Sequence, residues 1–198
     1  MTRATVREWM GNASNVDGAR CLLVLPGLNY SAQLPGLYLP MRALSLEGWK
    51  VFHGQWELAD LSAPERRAAV SEAAAEFVCR TARAGRRLIM AKSLGTLAAG
   101  CAADHAIPAV WVTPLLRDDR CVRDIARSSA PALLVAGSRD WAWDDAAARR
   151  TGKRRLQLGT CDHALLTGDW REEVEMLEVL TSAVADFARD FTCVNSGV

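Results

Sequence analysis

Short apolar runs alternate with longer helical patterns along these 198 residues, and that alternation restricts the fold more than any other feature. The clearest runs are 21–25 (CLLVL, ended by Pro26-Gly27), 50–53, 87–91, 109–112 and 132–136. A weaker, alternating run at 154–158 has the character of an edge strand, and 5–9 offers a further strand at the opposite edge. Runs that are apolar on both faces indicate strands covered from two sides. Helical signals lie between them. Ser62-Ala63-Pro64-Glu65 joins a capping box to a proline in the first turn, ahead of an alanine-rich stretch to about 83. Residues 94–104 read as a buried helix, and 118–128 and 144–150 as shorter amphipathic ones. Asp169-Trp170-Arg171-Glu172 repeats the capping logic before a last helix to about Asp190. There Val174, Leu177, Leu180, Val184 and Phe187 share one face. This order predicts a single α/β domain over 1–198: a mostly parallel central sheet of about six or seven strands, helices on both faces and right-handed crossovers. Only the tail after Asp190 reads as frayed.

Composition narrows the partners. The formal charge is +1, and the arginine-rich pieces 83–87 and 149–155 have acidic residues nearby. A nucleic-acid footprint would need an uncompensated basic face, so no nucleic-acid partner is expected. The 6 cysteines, at 21, 79, 101, 121, 161 and 193, stand singly and read as small buried hydrophobes in a reducing compartment. The opening MTRATVREWMGN has no apolar signal region, and no run approaches the ~18 apolar residues of a membrane span. The expectation is a cytoplasmic protein with no membrane partner, its oligomeric state unspecified.

In a parallel sheet, ligands bind beyond the carboxyl ends of the strands. The run 87–91 ends in Ala91-Lys92-Ser93-Leu94-Gly95 and passes straight into the buried helix. A serine on so sharp a strand-to-helix turn needs small residues two before and two after it, and Ala91 and Gly95 supply them. The usual G-x-S-x-G differs from this by one methyl group. Ser93 as a nucleophile competes with Ser93 as a plain helix cap; its position after a buried strand favours the nucleophile. A phosphate-binding loop is excluded, because Ala91 and Arg86 occupy the places its glycines require. A Ser-Lys dyad is disfavoured because adjacent side chains on a turn diverge, so Lys92 is read as solvated or bonded to a loop.

A serine hydroxyl needs a positioned base, and the chain has 3 histidines. His163 lies in a loop between the last strand and the last helix, on the rim where Ser93 stands. His105 falls at the far end of the helix that Ser93 opens, and His53 comes early in the chain. The base needs a carboxylate to fix its tautomer. Asp140 follows the run 132–136 on the same rim, with Asp118 and Asp119 in reserve and Asp162 too close in sequence to His163. Asp140 as a helix-capping loop residue stays open. The oxyanion calls for backbone N–H donors, which Leu94 and Leu28 offer, with the Asn29 side chain as a weaker alternative. No metal is expected, since the histidines are far apart and no ligand cluster accompanies them.

Four pieces in this order, LPGLN, AKSLG, GSRD and CDHALL, resemble the α/β-hydrolase superfamily, particularly its small members without a cap domain. The resemblance spans nearly the whole chain. It implies a shortened α/β-hydrolase sheet and cofactor-free hydrolysis of a carboxylic ester, thioester or amide through an acyl-enzyme. Esterase or thioesterase action on a small acyl substrate leads, and a peptidase follows. From another class, a non-enzymatic binding or scaffold protein of the same fold would leave Ser93 a cap. The stretch 113–131 holds only a short helix, so an open site without a lid is expected, with Asn29 and Trp141 as substrate-binding candidates. Trp56 and Trp143 are further candidates for lining it, and each tryptophan has an equal claim to a packing role.

Overall fold

A computed structural model describes residues 3–14 and 16–193. Seven strands make one sheet: β1 (Ala4–Glu8), β2 (Arg20–Leu25), β3 (Lys50–Trp56), β4 (Arg86–Lys92), β5 (Ala109–Val112), β6 (Ala132–Ala136) and β7 (Arg154–Gln157). Their spatial order is β1-β3-β2-β4-β5-β6-β7. Only β1 runs antiparallel, against β3; every other neighbouring pair is parallel. The expected strands are thus present, including both edges.

The doubly apolar runs are explained by two cores, one on each face. Along β4, Leu88 and Met90 enter one core, and Ile89 and Ala91 enter the other. The same split divides Leu22 and Val24 from Leu23 and Leu25 in β2, and Val110 and Val112 from Trp111 in β5. One face is covered by α2 (Ala63–Arg80), a 3-10 turn (Ser93–Ala98), α3 (Ala99–Asp104), α4 (Asp119–Arg127) and α5 (Asp145–Arg150). The other is covered by α1 (Pro35–Leu46) and α6 (Trp170–Cys193), joined at their ends by the Arg189–Glu47 ion pair at 2.7 Å.

Helix α1 has no counterpart among the helices expected from sequence. Its two prolines and Gly36 argue against a helix by propensity. Pro35 sits in the first turn, where a missing N–H costs nothing, and Leu37, Met41 and Leu44 are wholly buried against the sheet. Tertiary burial outweighs the interior Pro40. In α6, Leu180, Val184 and Phe187 are buried as expected, but Val174 is 58% exposed and Met176 takes the inward position at that end. Its reach-back residue is Glu173, which accepts from the N–H groups of Thr167 (3.1 Å) and Gly168 (3.3 Å), rather than Glu172. The helix continues past Asp190 to Cys193, and the rest of the tail expected to fray lies outside the described residues. Among the described residues, no helix is long and apolar enough to cross a membrane.

Candidate active site

The turn after β4 is as tight as its sequence demands. Ser93 stands in the left-handed region, with φ of 49°, a conformation that costs an L-residue ~1–2 kcal/mol. A Cβ on Gly95 would lie 2.8 Å from the Leu25 carbonyl oxygen and 3.1 Å from the Ala91 Cβ. The chain therefore folds onto β2 and β4 so closely that only glycine fits at 95, while the alanine at 91 is accommodated in full burial. The helix expected at 94–104 opens as a 3-10 turn and becomes α-helical at Ala99. Beyond β2, Gly27 brings the next loop against Ser93: a Cβ there would be 3.4 Å from the Ser93 Cβ. That loop is closed by the Gly27 N–H donating to the Tyr30 carbonyl at 3.0 Å, and the Trp56 indole donates to the Gly27 carbonyl at 3.2 Å.

The loops after β6 and β7 are stitched together. Ser138 N–H donates to the Gly159 carbonyl (2.9 Å) and Arg139 N–H to that of Cys161 (3.2 Å). The Arg139 guanidinium donates to the carbonyls of Thr160 (2.6 Å), Leu166 (3.3 Å) and Thr167 (2.9 Å). Gly137 permits the approach, since a Cβ would fall 2.0 Å from the Cys161 carbonyl oxygen. The two loops bring Asp140 to His163, with Oδ1 2.7 Å from Nδ1, and Oδ1 also accepts from the Ala142 N–H at 2.9 Å. His163 Nε2 in turn lies 2.8 Å from Ser93 Oγ. With the Nδ1–H donating to the Asp140 carboxylate, Nε2 is free to accept from the serine hydroxyl. The Trp141 ring, 62% exposed, lies 4.7 Å centroid to centroid from the imidazole.

Lys92 is not solvated. It is 1% exposed, with Nζ donating to the His163 carbonyl at 2.6 Å and to Thr113 Oγ1 at 3.1 Å, and it lies 4.4 Å above the Tyr30 ring. Burial lowers its pKa from 10.5 to about 8, against the opposing pull of Asp140 and Asp162. One buried cation thus ties the nucleophile turn to the loops of Tyr30, Thr113 and His163.

A cleft of about 390 Å³ opens over Ser93. Leu28, Leu94, Asn29 and Trp141 all line it, as does Arg66 of α2, a residue no sequence signal singled out. Trp56 borders a neighbouring hollow, and Trp143 instead packs on the α2-side core while its indole donates to Asp145 at 2.9 Å. The other sequence candidates stand elsewhere. Asp118 caps α4 and pairs with Arg67. Asp119 is in the first turn of α4, and His105 ends α3. Asp162 shapes its own turn, accepting from the N–H groups of Ala164 (2.8 Å) and Leu166 (3.0 Å). His53 is buried within β3, and burial lowers its pKa. Between β5 and β6 the chain forms only α4, so no lid crosses the cleft there. Among the described residues no cluster of three His, Cys, Asp or Glu is placed to hold a metal ion.

No protein-family model matches the sequence, and no curated protein matches it. Solved structures do match the fold. Est1E from Butyrivibrio proteoclasticus is 12% identical, with a TM-score of 0.71 over 94% of this chain and 93% of that one. XC6422 from Xanthomonas campestris, described as an α/β serine hydrolase without lid, is 15% identical, with a TM-score of 0.65 over 95% and 88%. An α/β serine hydrolase homologue from Coxiella burnetii is 12% identical, with a TM-score of 0.68 over 91% and 90%. The chain has a shortened α/β-hydrolase fold.

Proposed function

We propose that this chain is a serine hydrolase that cleaves a carboxylic ester or thioester of a small acyl group through an acyl-enzyme. The observation that carries the reading is the relay from Ser93 Oγ to His163 Nε2 (2.8 Å) and from His163 Nδ1 to Asp140 Oδ1 (2.7 Å). In this reading His163 takes the Ser93 proton as the oxygen attacks the substrate carbonyl, and Asp140 stabilises the imidazolium that forms. The Leu28 and Leu94 N–H groups hold the oxyanion. Collapse of the tetrahedral intermediate breaks the C–O or C–S bond, and the leaving group takes its proton from His163. Water, deprotonated by the same imidazole, then attacks the acyl-serine and regenerates Ser93. The left-handed turn supports this assignment, because a serine serving only as a helix cap needs no such conformation. Esterases among the structural neighbours, from Rhodothermus marinus and Pyrococcus furiosus, support an ester or thioester over a peptide.

The test is intact-mass labelling with a fluorophosphonate. Wild type is expected to label stoichiometrically and Ser93→Ala not at all. A folded wild-type chain that takes no label overturns the reading and leaves a binding or scaffold role.

A further inference from the structure

The two cationic side chains of the cleft over Ser93, Arg66 and Lys92, differ in how their charge is answered. Lys92 is buried, bonded on two sides and electrostatically balanced by Asp140. Arg66 has no carboxylate bonded to it among the described residues, and Asp60 attracts it only at longer range. Its Nε donates to the Leu58 carbonyl at 2.9 Å and its Nη2 to the Ala59 carbonyl at 2.5 Å, two neutral acceptors that fix the guanidinium plane. Its Nη1 has no acceptor among the described residues. Asp60 is itself paired with Arg3 at 2.6 Å, and the adjoining Glu65 bonds Ser62 at 2.6 Å. Neither lines the cleft, and no other Asp or Glu does, nor does any line the adjoining hollow at Asn29–Tyr30. An oriented guanidinium with no bonded carboxylate, in a concave and largely apolar cleft, is what recognition of a carboxylate uses.

We propose that the substrate of this site carries a negative charge, read by Arg66, so that the class is a half-ester of a dicarboxylic acid or an ester of a hydroxy acid, rather than a neutral ester. The proposal rests on the serine hydrolase reading for the identity of the cleft. The anion itself can be read without turnover. A guanidinium left unmatched by a neutral ligand keeps its water; matched by a carboxylate it gains a charge-assisted bond worth about ten-fold or more in affinity.

Calorimetric titration of the Ser93→Ala chain at pH 7 separates the two readings. Monomethyl glutarate and dimethyl glutarate differ by one charge on the acyl side; acetoxyacetate and its methyl ester differ by one charge on the alcohol side. In at least one pair the anion is expected to bind about ten-fold or more tightly than its neutral partner. Arg66→Gln in the same background is expected to abolish that difference, and Arg66→Lys to restore part of it. A purely structural arginine would weaken both members of a pair alike and leave their ratio untouched. Equal affinities within both pairs, no anion binding up to tens of millimolar, or a ratio that survives Arg66→Gln would overturn the proposal. Fluorophosphonate labelling of the otherwise unaltered chain reports separately on whether Ser93 is activated.

Discussion

The two ends of the sheet solve the same turning problem differently. At the amino ends of the strands, the left-handed positions before β2, β3 and β7 are glycines: Gly18, Gly48 and Gly152. At the carboxyl rim, Gly159 is joined by Ser93, Thr113 and Leu165, with φ of 49°, 44° and 66°. Each of those three side chains has work there: Ser93 faces His163, Thr113 accepts from Lys92, and Leu165 packs into the α1–α6 core. One end minimises local strain, and the other accepts strain to hold chemistry in place. The rim also contains the buried lysine and a carboxylate oxygen, Asp140 Oδ2, that has no hydrogen-bond partner among the described residues.

The largest test of this contrast compares two glycines. Gly137→Ala puts a Cβ 2.0 Å from the Cys161 carbonyl, and is expected to lose about 3 kcal/mol in urea unfolding along with fluorophosphonate reactivity. At Gly85, on the amino end, a Cβ would meet only the Ala19 carbonyl at 3.6 Å, so Gly85→Ala should stay within ~0.5 kcal/mol. Equal losses would erase the distinction between the ends.

Lys92→Met comes next, with a pH signature. The buried lysine titrates at about 8, against 10.5 when free. Between those values the unfolded chain holds the extra proton, so this group's contribution to stability rises with pH. Below about 8 its charge costs the fold about 3 kcal/mol. Removing it orphans the His163 carbonyl and Thr113 hydroxyl at about 1–3 kcal/mol each. Whatever the balance at pH 7, the stability of Lys92→Met relative to wild type is therefore expected to fall by about 3 kcal/mol as pH climbs from 8 towards 10.5. Its labelling rate should fall about ten-fold as the His163 loop loses its tie. A stability difference that does not change with pH would show that burial leaves the lysine's charge unpenalised.

The smallest effect is the most diagnostic of where strain is useful. Ala106, at φ 48° before β5, is the one amino-end exception to glycine. Ala106→Gly and Ser93→Gly should each raise stability by about 0.5–1 kcal/mol in thermal melts. Only Ser93→Gly should abolish labelling.

The legibility of the molecule follows the same division. Strands showed themselves because burial on two faces leaves nearly unbroken apolar runs, and the rim glycines and Ser93 because tight turns tolerate few residues. Helix α1 was hidden because Pro35 and Pro40 oppose it locally, while the burial of Leu37, Met41 and Leu44 that secures it is tertiary. Of the two readings of Lys92, solvated or bonded to a loop, the structure has the second, and a signal against the first existed: period-two alternation places it on the same face as Leu88 and Met90. Arg66 left no trace, because an arginine on an exposed helix start looks like any other until the opposing loop is in place.

The stitching of the Asp140 and His163 loops by Arg139 has a consequence for how such a chain can change. The proposed acid and base are brought together largely by contacts within residues 137–167, with Lys92 as the tie from outside. Much of the cleft wall comes from other stretches, around Leu28–Tyr30 and Arg66, facing Trp141 and Ala164. On the proposed reading, changes at 28–30 and 66 can therefore retune selectivity while leaving the acid and base in place.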